Sequence, residues 1–529
     1  MGMAHTQSRA LLGLHTPCVH VEVDLANGLP SFTLVGLADT EVKEAREWVR
    51  AAIVNSGLTF PNNQRITVNL APADLRKDSC RFDLAIALGI LVASGQIPAF
   101  DPNQWTFAAE LSLSGQLRPV AGALAMALNM ANEGASGALV LAGENAAEAA
   151  RVPKLRVASA QHLLDVVAHF LQSQVTGTTA NAPHDSAEQA GWHWPQPPEL
   201  EVRTLSISLA DVRGQDSAKR ALAIAAAGGH SVLLVGPPGS GKSMLAQRFI
   251  SLLPPLSEAE ALQSAATQSL MGGFQAEQWG HRPMVNPHHS ASAAALIGGG
   301  SPPRPGAITQ AHHGILFLDE LPEFNRPALE ALREPLETGT IHISRASHHA
   351  QFPAQFQLIA AMNPCPCGYW GHPLRPCRCT PDQVARYQAR ISGPLLDRID
   401  LQVEVSAIDP ATLLFDPSRT SPDATQSASA TLPSVAQTVA ARHLALQRQT
   451  CLNGELQGDA LLAHAGVVGD DATFLHAAAN RLYWSSRRIH RVLRVARTIA
   501  DLAQHEAVTR MHLAEAMQYQ RALLNTGTT

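Results

Sequence analysis

Gly236-Pro237-Pro238-Gly239-Ser240-Gly241-Lys242-Ser243 decides the fold. It follows at once on Val232-Leu233-Leu234-Val235, an apolar run suited to a buried parallel strand, and Ser243-Met244-Leu245-Ala246 opens a helix. Strand, Gly-rich loop and helix in that order form a phosphate-binding loop. The glycines let backbone N–H groups face a β-phosphate; Lys242 can reach the β and γ oxygens; the Ser243 hydroxyl can hold Mg²⁺. The whole loop, Gly236, Pro237, Pro238, Gly239, Ser240, Gly241, Lys242 and Ser243, is therefore expected to bind ATP with Mg²⁺.

A second strand pattern, Gly314-Ile315-Leu316-Phe317-Leu318-Asp319-Glu320, ends in two carboxylates. Alone it would read equally as a strand running into a solvated acidic turn. In a chain with a phosphate-binding loop, Asp319 is expected to order the Mg²⁺ shell and Glu320 to polarise the attacking water. Leu358-Ile359-Ala360-Ala361-Met362-Asn363 is a third apolar run, ending in a polar amide.

Outward from this centre, strand and helix patterns alternate over 204–408, as a parallel α/β sheet requires. Residues 1–171 mix alternating runs such as Val19-His20-Val21-Glu22-Val23 with helical spacing in Asp39 to Val54, the mark of an α+β domain. Residues 172–203 turn to Gln, Ser, Thr, Asn and Pro and read as a linker, as does the polar stretch 409–433; 434–529 is helical throughout. A chain of 529 residues is too long for one core, so a multidomain α/β protein is expected. A net charge of −5 gives no global sign of nucleic-acid binding, leaving only a local patch or channel for it. No apolar run spans a bilayer and the N-terminus lacks a signal-peptide pattern, so a cytoplasmic protein without membrane contact is expected.

The strand ending in Asn363 resembles the sensor-1 strand of AAA+ ATPases. Gly393-Pro394-Leu395-Leu396-Asp397-Arg398-Ile399-Asp400 resembles their arginine-finger segment, and Ser485-Ser486-Arg487 the sensor-2 start of a lid helix. The resemblance implies that Asn363 positions the lytic water, that Arg487 contacts the γ-phosphate in cis, and that Arg398 reaches a neighbour's nucleotide. An arginine acting in trans needs a ring, so a hexamer is implied. Asp211-Val212-Arg213-Gly214-Gln215, Pro287-His288-His289-Ser290-Ala291-Ser292 and Arg304-Pro305-Gly306-Ala307-Ile308 look like the magnesium-chelatase-like AAA+ proteins of the ComM/YifB type. So does the N-terminal Ser31-Phe32-Thr33-Leu34-Val35-Gly36-Leu37, and the resemblance covers essentially the whole chain. It implies a DNA motor of helicase or branch-migration type serving recombination in natural transformation, with single-stranded or branched DNA as partner. The rival reading is a chaperone like the magnesium-chelatase ATPase subunit, which drives metal insertion.

The N-terminal domain resembles the Lon-protease-like, ribosomal S5 domain 2-type fold. In that register Arg81 stands where the nucleophilic Ser would be and Leu124 where its Lys would be, so proteolysis is not expected. A scaffold is expected instead, one that helps assemble the ring or grips DNA through Arg76, Lys77 and Arg81, or that carries these as a partly solvated basic loop. The resemblance implies that the insertion near His288 and His289 lies close to a ring pore; otherwise the pair reads as a structural loop with solvated histidines. Cys365, Cys367, Cys377 and Cys379 form CxC-x9-CxC, enough thiolates for a tetrahedral, structural Zn²⁺. Arg487, Arg491 and Arg494, with Arg488 and Arg497, line one side of a helix whose other side carries Ile489, Val492, Leu493, Ala496 and Ile499. That basic side reads either as the solvated face of a packed lid helix or as a phosphate-backbone contact.

Overall fold

The structure, a computed structural model, describes residues 2–36, 40–75, 77, 80–175, 191–197, 207–300, 303–345, 348–372, 374–407 and 434–520. The two stretches read as linkers fall largely outside these.

Five short strands make the central sheet, in the spatial order Met284–Val285, Ile315–Leu318, Gln357–Met362, Val232–Val235, Leu401–Glu404, all parallel. The three strands Ile315–Leu318, Gln357–Met362 and Val232–Val235 are apolar and almost wholly buried, because helices cover both faces. The strand that feeds the phosphate-binding loop lies between Gln357–Met362 and Leu401–Glu404. In an open parallel sheet the crevice beyond the carboxyl ends of such strands is where ligands sit.

The N-terminal part holds a separate eight-stranded mixed sheet, whose centre is Trp105–Ala108, Gly2–Arg9 and Cys18–Ala26. The helix Asp83–Ala93 is apolar nearly all round and packs on Gly2–Arg9 and Cys18–Ala26, which explains why it shows no amphipathic face. The sheet's last strand is Trp192–His193, paired antiparallel with Ser159 and Ala160. It comes from inside the stretch read as a linker. The aromatic content explains it: Trp192 stacks on His169 with ring centroids 4.1 Å apart and meets Trp105 edge-on, and Arg156 lies 4.8 Å above the Trp194 ring.

The N-terminal domain docks on the helix Glu258–Leu270 of the central domain. Leu124, Met126 and Met130 form one apolar cluster with Leu262, Ala265 and Ala266. The Gly122 N–H donates to the Ser269 carbonyl at 3.1 Å and the Leu124 N–H to its hydroxyl at 3.4 Å. Arg151 covers Trp279 at 4.7 Å.

The C-terminal helices close against the starting ends of the central strands. Their long helix, Ser486–Leu502, turns its arginines inward. Arg491 donates to the carbonyls of Leu396 and Ile399 at 2.9 and 3.0 Å and pairs with Asp397 at 3.1 Å. Arg494 pairs with Asp400 at 3.2 Å, and Arg497 with Asp501 at 2.9 Å. Arg488 donates to the Gln520 carbonyl. The basic side read from the sequence as solvated or phosphate-binding is thus a docking face, and of its five arginines only Arg487 is exposed.

Asp501 is 2% exposed and accepts from Arg448, Arg497 and Asn453. Removing it leaves Arg497, itself 1% exposed, as an uncompensated buried charge. Asp501→Ala should cost about 3–5 kcal/mol. Hydrogen exchange should show the amides of Ser486–Leu502 losing protection by a matching amount; unchanged protection would refute the network's role.

Candidate nucleotide site

The loop 236–241 turns between the end of Val232–Val235 and the helix Lys242–Arg248. Gly236 is required by contact: a Cβ there would lie 2.2 Å from the Val405 carbonyl oxygen on the neighbouring strand's extension. Gln215 braces the loop from outside, donating to the carbonyls of Ser240 at 3.2 Å and Ser406 at 2.7 Å.

Lys242 is 9% exposed, and its ammonium donates to the carbonyls of Gly236 and Pro237 at 2.8 and 2.9 Å and to Asn363 Oδ1 at 3.2 Å. Burial pulls its pKa below the ordinary lysine value, while Asp319 and Glu320 pull it back up. The Ser243 hydroxyl donates to Asp319 Oδ2 at 2.6 Å. A hydroxyl and a carboxylate so placed, beside a buried ammonium, suit hard oxygen coordination of Mg²⁺ with a phosphate chain. Ser243 and Asp319 would hold the ion, which when bound would neutralise charge on the phosphate oxygens. The structure therefore brings together Lys242, Ser243, Asp319 and Asn363 from three strand ends, as the sequence led us to expect.

Glu320 is exposed, and its backbone sits at φ 53, a conformation that side-chain-bearing residues rarely adopt. Asp319 Oδ1 accepts its N–H at 3.0 Å and helps hold it there. Its carboxylate meets His289, with Nδ1 3.2 Å from Oε2. His288 lies against the His289 ring at 4.1 Å and is itself anchored by Ser290 Oγ at 2.8 Å. The sequence reading took these histidines as a solvated loop and missed the contact. The contact follows from the order of the sheet, which the sequence pattern does not carry: the segment follows Met284–Val285, and that strand pairs directly with the one ending in Asp319-Glu320.

Arg398 and Arg487 lie elsewhere. Arg398 forms an ion pair with Glu337 and donates to the Pro394 carbonyl at 2.8 Å. The hydrogen bond that Arg398 donates to Glu337 first, then the Arg398 charge and the more distant Arg487 charge, hold the Glu337 carboxyl below its usual range. Both arginines line one cleft of about 720 Å³ together with Ser231, Gly314, Gln357 and Asp400. Those four residues mark the starting ends of the strands, whereas the phosphate-binding loop lies beyond their finishing ends. Strands of four to six residues separate the two by about 13–20 Å. The cis contact expected of Arg487 is thus not made: the docking of its helix carries it to the far side of the sheet, beside Arg398.

The four cysteines converge. Their sulfurs all lie within 4.8 Å of one another, with Cys365–Cys367, Cys365–Cys377 and Cys367–Cys377 at 3.4, 3.6 and 3.4 Å. These are far beyond a disulfide bond of ~2.05 Å and close to the ~3.8 Å edge of a tetrahedron built on Zn–S bonds. Burial works against a Cys367 thiolate, but the N–H groups of Arg378 and Tyr369 outweigh it and bring its pKa down to about 6; Cys377 is pushed up to about 12 by burial and its sulfur neighbours. Four thiolates can share this space only around a cation.

In the N-terminal domain Lys77 is fully buried with its ammonium on the Pro72 carbonyl, and Arg81 is 4% exposed with a 3.5 Å contact to the Ala121 carbonyl. Neither can reach a phosphate backbone, so the proposed grip on DNA through them is withdrawn; Arg76 lies outside the described residues. Leu124 is fully buried in the docking surface.

Three family models tile the chain: subunit ChlI of Mg-chelatase over residues 21–145, magnesium chelatase subunit ChlI over 208–413, and its C-terminal part over 428–520. The chain is 44% identical over 520 residues to the protein YifB of Salmonella typhimurium, covering 98% of this chain and 97% of that one. It is 43% identical over 524 residues to the competence protein ComM of Haemophilus influenzae, again covering 98% and 97%. The chain belongs to the ComM/YifB-type, magnesium-chelatase-like AAA+ family. The magnesium-chelatase 67 kDa subunit of Chlorobaculum parvum is similar over a shorter reach, 28% identical over 163 residues, 30% of this chain and 23% of that one. Among the described residues no helix is long and apolar enough to cross a membrane.

For a ComM/YifB-type chain with these sulfur distances, elemental analysis of protein purified without chelator should find about one zinc per chain. Cys367→Ser together with Cys379→Ser should abolish it; metal-free wild-type protein would refute the site.

Proposed function

We propose that this chain is an ATP-hydrolysing subunit of a hexameric ring that moves on DNA, a helicase or branch-migration motor serving recombination in natural transformation. ATP with Mg²⁺ is held by Gly236 to Ser243 and Asp319. Glu320 polarises the attacking water as a base-like positioning group, Asn363 orients that water, and His289 holds Glu320 in place between turnovers. The N-terminal domain is a Lon-protease-like scaffold without a catalytic pair, and the four cysteines carry a structural zinc.

One observation carries the ring. Arg398 and Arg487 share a cleft on the side of the sheet away from the chain's own phosphate-binding loop. Cations there are useful to phosphoryl transfer only if a second copy presents its nucleotide to that cleft. In a head-to-tail ring every copy does so. Both arginines therefore act in trans, Arg487 included. The DNA load rests on the relationship to the competence protein ComM. The chelatase-type chaperone has in its favour the three chelatase family models and the shorter match to the Chlorobaculum subunit; the near full-length relationship to ComM favours the motor.

Two experiments test this reading. Glu320→Gln should still bind ATP but hydrolyse it about 10²–10⁴-fold more slowly. The wild-type protein should show DNA-stimulated hydrolysis and three-strand exchange, and the variant neither. Pure protein that neither binds DNA nor responds to it would overturn the motor in favour of the chaperone.

Mixing tests the shared site. Lys242→Ala alone and the double variant Arg398→Ala, Arg487→Ala alone should both be inactive. An equal mixture should regain activity, because roughly a quarter of its interfaces join an intact loop to intact arginines. No recovery would place the arginines in cis.

A further inference from the structure

Asn363 is followed directly by the cysteine loop, Pro364-Cys365-Pro366-Cys367-Gly368. From Asn363 to the helix Pro381–Gln388 the described chain contains no strand or helix, so little but its side chains fixes its path. Two contacts join it to the phosphate-binding loop. The first runs through Asn363, whose side-chain oxygen accepts from the Lys242 ammonium at 3.2 Å.

The second is a close approach of backbone. Gly368 is buried at φ 84, and a Cβ there would lie 2.5 Å from Cδ and 2.7 Å from Cγ of Pro238, and 3.8 Å from Cγ of Asn363. Only glycine lets the cysteine loop rest on the second proline of the phosphate-binding loop. Gly368 stands one residue after Cys367, and Cys365, fully buried, stands two residues after Asn363. Both contacts are thus made by residues within two positions of a thiolate. On the outer side the loop is tied more loosely: Gln388 donates to the Pro364 carbonyl at 3.0 Å, and Arg375 donates to the Tyr369 hydroxyl at 3.0 Å.

We propose that the four-cysteine site is a metal-dependent clamp on the phosphate-binding loop, so that a thiophilic divalent cation and Mg-ATP bind with positive coupling. The inference rests on the reading of the cysteines as a metal site and of Gly236 to Ser243 as a nucleotide site. With the cation bound, Cys365 and Cys367 fix Asn363 and Gly368, and the loop is held in the shape that receives phosphate. Without it, Pro238 loses its backing and Lys242 loses one oriented acceptor. Coupling between two sites is reciprocal: each ligand changes the other's affinity by the same factor.

The test uses the full-length protein. Zinc affinity is measured by competition with a chromophoric chelator, with and without Mg²⁺ and a non-hydrolysable ATP analogue. The affinity for a fluorescent analogue is measured on zinc-loaded and zinc-stripped protein. Both constants should move by one common factor, on the order of 5–150-fold. Gly368→Ala leaves all four thiolates in place; it should keep about one zinc per chain and lose nucleotide affinity, without relying on stripped protein remaining folded. If zinc and nucleotide both bind and neither constant moves, or if Gly368→Ala binds nucleotide as the wild type does, the clamp is wrong while both site readings stand. If no zinc binds, the metal reading falls and the clamp with it. If zinc binds but nucleotide does not, it is the nucleotide reading that falls, again taking the clamp with it.

Discussion

Asp400 is the charge on which the arrangement of the domains depends. It is buried at the start of Leu401–Glu404 and meets His230 at 3.1 Å and Arg494 at 3.2 Å. Burial alone would raise its pKa; the Arg494 charge and the His230 hydrogen bond hold it below the usual carboxylate value. His230 turns its other nitrogen to Thr498, 2.7 Å away, and Thr498 also accepts from Asn453, which donates to Asp501. One continuous polar chain therefore runs from the starting end of the central sheet into the C-terminal helices. Such a network stabilises little relative to an apolar core, but it costs several kcal/mol to break and it specifies one docking position.

That position determines the chemistry. Helix Ser486–Leu502 is pinned to the strand starts, so Arg487 at its first turn cannot also stand at the strand finishes where Lys242 and Asp319 lie. On the proposed reading, the two ends of the sheet carry the two halves of a phosphoryl-transfer site, the loop of Lys242 at one and the arginines Arg398 and Arg487 at the other. Glu337 neutralises Arg398 meanwhile, an exposed pairing that an incoming triphosphate, with its higher charge, can displace at small cost.

What could be read from the sequence divides along the same line. Gly236 to Ser243, Asp319 and Asn363 were legible because each closes a strand, and a parallel sheet brings strand ends together by construction. The cysteines were legible because only four residues and one short loop are involved. The cis role expected of Arg487 came from a resemblance in the residues that open its helix, and those residues do not say where the helix docks; helical spacing likewise gives the face of a helix, not what covers it, and Arg491, Arg494 and Arg497 look like a solvated stripe until Asp397, Asp400 and Asp501 are found beneath them. Trp192–His193 was hidden by polar and Pro-rich neighbours, its strand held by side-chain stacking rather than by a run of β-formers. The Lys77 and Arg81 reading failed for a further reason: a basic residue in a loop pattern is normally solvated, and here both are sealed beneath the domain's own surface.

The phosphate-binding loop is consequently supported from several directions by parts of the chain with little else in common. Gln215 ties its outer side to the extension of Leu401–Glu404, and Gly368 backs Pro238 from the cysteine loop. Glu320 is reached from the strand Met284–Val285 through His289, and the chain leading into that strand begins at Glu258–Leu270, the helix on which the N-terminal domain docks. Arg282, between them, donates to the His313 carbonyl at 2.7 Å and pairs with Glu260 on that helix at 3.4 Å, so the helix and the Glu320-bearing strand share a buried cation. The surface on which the N-terminal domain docks is thus linked through packed contacts to the position of the Glu320 carboxylate. If the chain forms the proposed ring, that linkage would let the N-terminal domain pass the state of one subunit to Glu320 of the same chain, while the cleft of Arg398 and Arg487 faces the next.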